Sequence, residues 1–151
     1  MSKKFKYVYE QDGFDEEGLR IPDIPVIYLI LETRRGRARG PAILDTGFDG
    51  GIYPNIHVVR ILRGLTPIAV RRLDHPLYGY VECEVYKAKI FLTTPNFTER
   101  VSLGEARIYT PTEPEYLSED VLVGREVLNK LKIELNGRYV FVNPLYSAGG
   151  V

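Results

Sequence analysis

Ten prolines and fourteen glycines are scattered through these 151 residues, and the stretches between them are rich in tyrosine, valine and isoleucine. Proline removes a backbone donor and glycine weakens a helix, so few helices survive such punctuation. β-Branched and aromatic runs suit a pleated, half-buried surface. The chain is therefore expected to be all-β, with short strands joined by turns and one or two short helices.

KFKYVYE near the start alternates like a strand, and VIYLILE is a continuous apolar strand. ETRRGRARGPA, with its glycines and arginines, reads as a hairpin turn leading into AILDTG. In VECEVYKAKIFL, Val81, Cys83 and Val85 share one face, whereas Ala88, Ile90 and Leu92 share a face of the opposite parity. That switch predicts a bulge or bend near Tyr86 and Lys87, with Glu82, Glu84, Lys87 and Lys89 toward solvent. RVSLGEARIYT reads as a strand pair or one bent strand, and RYVFVNP as the last strand. Two segments carry helix signals. NIHVVRILRG offers Asn55 as N-cap and Gly64 just past its end. In REVLNKLKI, Val127, Leu128 and Leu131 share a face at helical spacing, and Glu126 is placed to pair with Lys130 four residues on. No repeat or linker interrupts the chain, so residues 1–151 are expected to form a single domain.

Lysines plus arginines equal aspartates plus glutamates at 20 each, so no surface-wide attraction to nucleic acid or to an anionic membrane is expected. RRGRARG then reads as a solvated turn rather than a nucleic-acid contact. VIYLIL is too short to span a bilayer. MSKKFKYVYE has no apolar run behind its lysines and does not read as a secretory signal. The single cysteine, Cys83, excludes an internal disulfide and sits beside valines like a packed core thiol. Together these features point to the cytoplasm. His57 and His75 are too isolated for a metal site, and no phosphate loop, HExxH or GxSxG occurs, so neither metal nor cofactor is expected.

One stretch asks for more than a fold. In PAILDTGFDGGIYPN, an apolar run leads straight into Asp45, Thr46 and Gly47. Glycine at the third place lets the backbone turn sharply and lets a partner approach closely, while the threonine hydroxyl can fix a neighbouring backbone. By itself the triplet specifies no more than a strand-to-turn junction capped by Asp45.

A second stretch adds to it. AILDTGFDGGIYP resembles the apolar-apolar-Asp-Thr-Gly-x-Asp/Ser segment of the retropepsin-like aspartic proteases, the single-domain relatives of pepsin. LVGREVLNKLKIEL resembles the apolar-Gly-Arg-x-x-Leu segment of the same family and the helix that follows it. The resemblance spans about residues 25 to 143. Its pattern is nearest to small prokaryotic members, in which DTGF is followed by a Pro-led helix. It implies a closed-barrel acid protease fold and an aspartic endopeptidase acting on peptide or protein substrates.

Carried over residue by residue, the resemblance implies Asp45 as the catalytic aspartate. Thr46 is implied as the hydroxyl that links two catalytic loops, and Gly47 as the glycine that approaches substrate. Phe48 and Asp49 lie on the substrate side. Asp49 and Arg125 match a pair that forms an ion pair in retroviral enzymes, and Gly124 matches the glycine of the loop crossing behind the catalytic strand. The flap over the substrate falls at Asp74, His75, Pro76, Leu77, Tyr78 and Gly79. The sequence departs from the viral pattern in its bulky Phe48, in a flap tip without a glycine-rich run, and in the insert YTPTEPEYLSED. With only one Asp-Thr-Gly, an active enzyme must be a homodimer to supply two aspartates. The alternative is a dimerisation or peptide-binding module of the same fold with little or no turnover. The terminal strands KFKYVYE and RYVFVNP can interleave with a partner's or stay within their own chain.

Overall fold

A strand bonded along both edges and covered on both faces must be apolar nearly throughout. Strand β2 (Val26–Thr33) meets that condition, with Val26, Ile27, Leu29, Ile30 and Leu31 all buried. It pairs antiparallel with β3 (Gly36–Leu44) on one edge and with β6 (Gly79–Thr93) on the other. The sheet runs on from β3 through β8 (Val121–Val123), β4 (Ile52–Tyr53) and β7 (Arg100–Pro111) to β6, and so returns to β2. Six strands thus close into a barrel, as expected of an all-β chain with two short helices. Strand β5 (Ala69–His75) pairs, among the described residues, with β6 alone and forms a hairpin at the barrel's edge. Strands β1 (Phe5–Val8), β10 (Tyr139–Pro144) and β9 (Leu131–Leu135) make a separate three-stranded sheet in the order β1-β10-β9. The computed structural model describes residues 4–75 and 79–145.

Helix α1 (Ile56–Arg60) starts where the sequence places it. The Asn55 side chain accepts the Val58 N–H at 3.1 Å, a cap that contributes about 1 kcal/mol. The helix stops after five residues, and the chain turns through to Gly64 at φ +81°. Helix α2 is shorter than its sequence pattern suggests, covering only Arg125–Leu128. Leu131 opens β9 instead, so Glu126 and Lys130 do not share a helical face. Glu126 accepts the Tyr109 hydroxyl at 2.9 Å, and the Lys130 ammonium donates to the carbonyls of Leu103 and Glu105.

Two other expectations change. RRGRARGPA is mostly strand, not turn, since the turn is confined to Arg34 and Arg35 and β3 begins at Gly36. Arg37 and Arg39 point outward, Arg37 bonding Glu32 at 2.8 Å and Arg39 lying over the Phe97 ring. In β6 the parity switch is real, with Val81, Cys83 and Val85 buried and then Ala88, Ile90 and Leu92. Its cause is not a bulge at Tyr86 and Lys87. The first three pack into a cluster with Tyr53 and Tyr109, and the later three face the main barrel core. The strand keeps its course while the side that is covered changes. The actual irregularity lies between Lys89 and Phe91, opposite Gly104 at φ +88° in β7.

The two terminal strands pair with each other in the same chain, from Phe5 opposite Val142 to Val8 opposite Tyr139. Tyr7 fastens this sheet to the barrel. Its buried hydroxyl donates to the Thr93 carbonyl at 2.6 Å, and burial pushes its ionisation well above the ordinary tyrosine range. Tyr7→Phe is expected to cost about 1–2 kcal/mol, because a buried acceptor loses its donor. Urea unfolding with an unchanged slope tests this, and a stability equal to wild type would show that the bond contributes nothing.

Cys83 is fully buried, and burial, followed by the nearby Glu82 charge, pushes its thiol up to about 11. The thiolate is the reactive form, so a thiol reagent at pH 8 is expected to label Cys83 only after unfolding. The same shift destabilises the fold at high pH. Between the unfolded value near 9 and the folded value of about 11, the unfolded chain loses its proton first, so stability falls as pH rises through that window. Among the described residues no helix is long and apolar enough to cross a membrane.

Candidate active site

Asp45 stands directly after β3. The strand's last three residues pair in parallel with β8, and the Asp45 N–H continues that pairing by donating to the Val123 carbonyl at 2.9 Å. The chain then turns tightly. The Gly47 N–H donates to the Asp45 carboxylate at 3.1 Å, and the Phe48 N–H to the Asp45 carbonyl at 3.1 Å. Asp45 is half-buried, while Thr46 and Gly47 are exposed. The carboxylate therefore sits at the mouth of the barrel with its orientation set by its own loop.

The loop rests on the segment after β8. Gly124 donates to the Gly51 carbonyl at 2.7 Å, Arg125 to the Phe48 carbonyl at 2.9 Å and Glu126 to the Gly50 carbonyl at 3.1 Å. Three consecutive backbone donors thus hold the stretch that follows Asp45. Phe48, bulky where a small residue was the reference, packs edge-on against Tyr53 and Tyr109 with ring centroids 6.1 and 5.8 Å away. It anchors the turn to the cluster beneath β5 and β6 rather than standing in solvent.

Asp49 and Arg125, expected as an ion pair, do not form one among the described residues: the Arg125 guanidinium turns to the Thr46 carbonyl instead. Both are exposed, and water solvates each well enough that a surface pairing gains little. The Arg125 guanidinium donates to the Thr46 carbonyl at 3.1 Å, so it supports the loop through the backbone. Gly47, Asp49, Asp74 and Arg125 border one opening together.

Asp74 lies near the end of β5, opposite Tyr80, and His75 pairs through its backbone with Gly79 at φ +72°. Asp74, His75 and Gly79 therefore fall on the β5–β6 hairpin, where the flap was expected. Pro76, Leu77 and Tyr78 lie outside the described residues. Between this hairpin and the Asp45 loop is a cleft of about 170 Å³. Asp45, Gly47, Phe48, Asp49 and Asp74 line it, as do Tyr53, Leu73, Val81 and Leu122. Nothing in the sequence marks the last four as site residues. Leu73 and Val81 face each other across the β5–β6 hairpin, whereas Tyr53 and Leu122, remote from them in the chain, face each other across β4 and β8. A hollow of about 200 Å³ beside β3 and α1 is slightly larger, but it contains neither Asp45 nor any hairpin residue.

The arrangement sets the carboxylates of Asp45, Asp49 and Asp74 around a cleft whose apolar lining comes from Phe48, Tyr53, Leu73, Val81 and Leu122. No group of three or more histidine, cysteine, aspartate or glutamate residues among the described residues is placed to hold a metal ion. No protein-family model matches the sequence, and no curated protein matches it either. In three dimensions the chain is similar to the crystal structure of a retropepsin-like aspartic protease from Rickettsia conorii. The TM-score is 0.52 at 9% identity, over 95% of this chain and 94% of that one. That likeness, spanning nearly both chains, shows that the fold is retropepsin-like.

Proposed function

We propose that the protein is an aspartic endopeptidase that works as a homodimer, each copy donating Asp45. The observation that carries this reading is the position of Asp45. It follows a barrel strand, is braced by the Val123 carbonyl and the Gly47 N–H, and opens into an apolar cleft beneath a β-hairpin. One chain brings one such carboxylate, and the chemistry takes two. Two carboxylates at a shared axis cannot both ionise, so the pair holds a single proton. The ionised member takes a proton from a water, which attacks the peptide carbonyl. The protonated member gives its proton to the carbonyl oxygen; as the C–N bond of the resulting diol breaks, the proton taken from water passes to the amine nitrogen and a diol hydroxyl proton returns to the dyad, leaving a free amine, a carboxylic acid and the singly protonated pair. No covalent intermediate and no cofactor enters these steps. Phe48, Tyr53, Leu73, Val81 and Leu122 supply the apolar contact for substrate side chains, and the hairpin carrying Asp74 excludes water. In this reading residues 1–151 act as one domain on peptides or proteins, in the cytoplasm.

The test is digestion of a mixed peptide library by the wild type and by Asp45→Asn, from acidic to neutral pH, at a concentration where light scattering reports a dimer. Cleavage by the wild type alone, with activity falling on both sides of a pH maximum, supports the dyad. A dimer that binds peptides equally well with either residue and cuts none would replace this reading with that of a peptide-binding module.

A further inference from the structure

We propose that the open edge of β3, over residues 36–41, takes an extended acidic segment of a partner protein as an added strand. Asp45 lies outside this surface, so binding here is independent of the proposed cleavage.

The barrel closes over only part of β3. Strand β2 pairs with it from Gly36 to Ile43, but β8 pairs only with Ala42, Ile43 and Leu44. Among the described residues no strand lies along residues 36–41 on the β8 side. The direction of the backbone groups follows from the end of the strand. The Leu44 N–H donates to the Pro25 carbonyl on the β2 side, and the Asp45 N–H to the Val123 carbonyl on the β8 side. Bonding alternates along a strand, and the β2–β3 register is unbroken, so the odd-numbered residues of β3 turn away from β2. The N–H and C=O groups of Arg37 and Arg39, and the C=O of Pro41, therefore face the open edge. Such an edge is a template for an extended peptide.

Beside the edge there is room for side chains. The hollow of about 200 Å³ between β3 and α1 is lined by Leu29, Leu31, Ala38, Gly40, Ala42 and Val58. Leu29, Leu31, Ala42 and Val58 are buried, so its floor is apolar. It exists because β3 turns small residues inward. A Cβ placed on Gly40 would meet no atom within 4 Å. Alternate side chains of an added strand point the same way as Ala38 and Gly40, into this hollow.

The other set of side chains would lie beside Arg37 and Arg39, which are both exposed. Arg34 and Arg35 extend the positive charge at the turn. Arg37 shares Glu32 with Arg100, at 2.8 and 3.7 Å, while Arg39 lies over the Phe97 ring and has no acidic partner among the described residues. Two arginines two residues apart match two acids at the same spacing in an extended segment. Toward β8 the sign reverses, because Glu119 and Asp120 line the hollow there. The acids of the segment therefore belong at the Arg37 and Arg39 end. A nucleic acid would meet the charge but could not continue the backbone ladder.

The test is fluorescence anisotropy with a short labelled peptide of alternating valine and glutamate. It is run on the wild type and on Asp45→Asn, so that cleavage is not mistaken for weak binding, and equal affinity is expected. Arg39→Glu is expected to weaken binding about fivefold, and to bind a peptide of alternating valine and lysine about fivefold better than the wild type does. Damage to the fold cannot produce that reversed preference. N-Methylation of the peptide's backbone amides is expected to lower affinity about tenfold, since the ladder loses its bonds while the charge is kept. Absence of binding to the wild type, an Arg39→Glu protein with unchanged preference, or a methylated peptide that binds as well as the parent would each overturn the proposal. So would a single-stranded oligothymidine that binds more tightly than the peptide, which would assign these arginines to nucleic acid instead.

Discussion

Asp45→Asn is expected to lower peptide cleavage about 10³- to 10⁴-fold while leaving the fold and the dimer in place. The size follows from symmetry. In the proposed homodimer one substitution changes both copies, so the proposed general base and general acid vanish together and the two roles do not add independently. Structure should survive because the bond that shapes the loop does. The Gly47 N–H donates to the Asp45 Oδ1 at 3.1 Å, and an asparagine Oδ1 accepts it equally. The Asp45 N–H bond to Val123 involves only backbone. Kinetics at saturating and at low substrate would read the loss mainly in kcat, with KM little changed, since the apolar lining of the cleft is untouched. Residual cleavage within tenfold of wild type would mean that Asp45 is not a reacting group. An unfolded variant would show instead that the carboxylate is needed for stability.

How much of this was legible beforehand depends on whether the determinant was local. The cap at Asn55 and the strand-to-turn junction at Asp45 are set within a few residues, and both were readable. β3 does not look like a strand in the sequence because its inward face is built from Gly36, Ala38, Gly40 and Ala42. Small residues alternate there with Arg37, Arg39 and Pro41, so the period of two was present but carried by size rather than by greasiness. β9 is masked in the sequence by a helical pattern, because Val127, Leu128 and Leu131 fit a helical stripe. Leu131, Ile133 and Leu135 also fit a period of two, and the Asn136-Gly137 turn after them was the better signal. The Asn136 side chain accepts the N–H groups of Arg138 and Tyr139, and Gly137 sits at φ +88°, which closes the hairpin that pairs β9 with β10. The cleft's floor was out of reach for a different reason. Leu73 and Val81 face each other across one hairpin, but nothing local says that Tyr53 and Leu122, paired across β4 and β8, will meet them.

Gly124→Ala is expected to destabilise the protein by about 3 kcal/mol or more, and to lower Tm by about 6–12 °C. The glycine is not there for its backbone angles, since φ is −100°, which any residue adopts. It is there because two loop backbones touch. A Cβ at this position would run into the Gly50 carbonyl oxygen and lie 2.7 Å from the Phe48 carbonyl oxygen. Neither atom is the free end of a side chain, so relief requires the loops to part. Parting them strains the three N–H bonds from Gly124, Arg125 and Glu126 that hold the stretch after Asp45. Cleavage should therefore fall along with stability. Gly47→Ala provides the contrast. Its Cβ would meet only the Asp45 carboxylate at 3.4 Å, an ordinary contact, so stability should stay within about 1 kcal/mol of wild type. Its effect should appear in KM, because Gly47 lines the cleft. Calorimetry on both variants decides the matter. A Gly124→Ala protein as stable as wild type would mean that the two loops do not meet as described. Equal damage from Gly47→Ala would mean that the two glycines do not divide support from substrate contact.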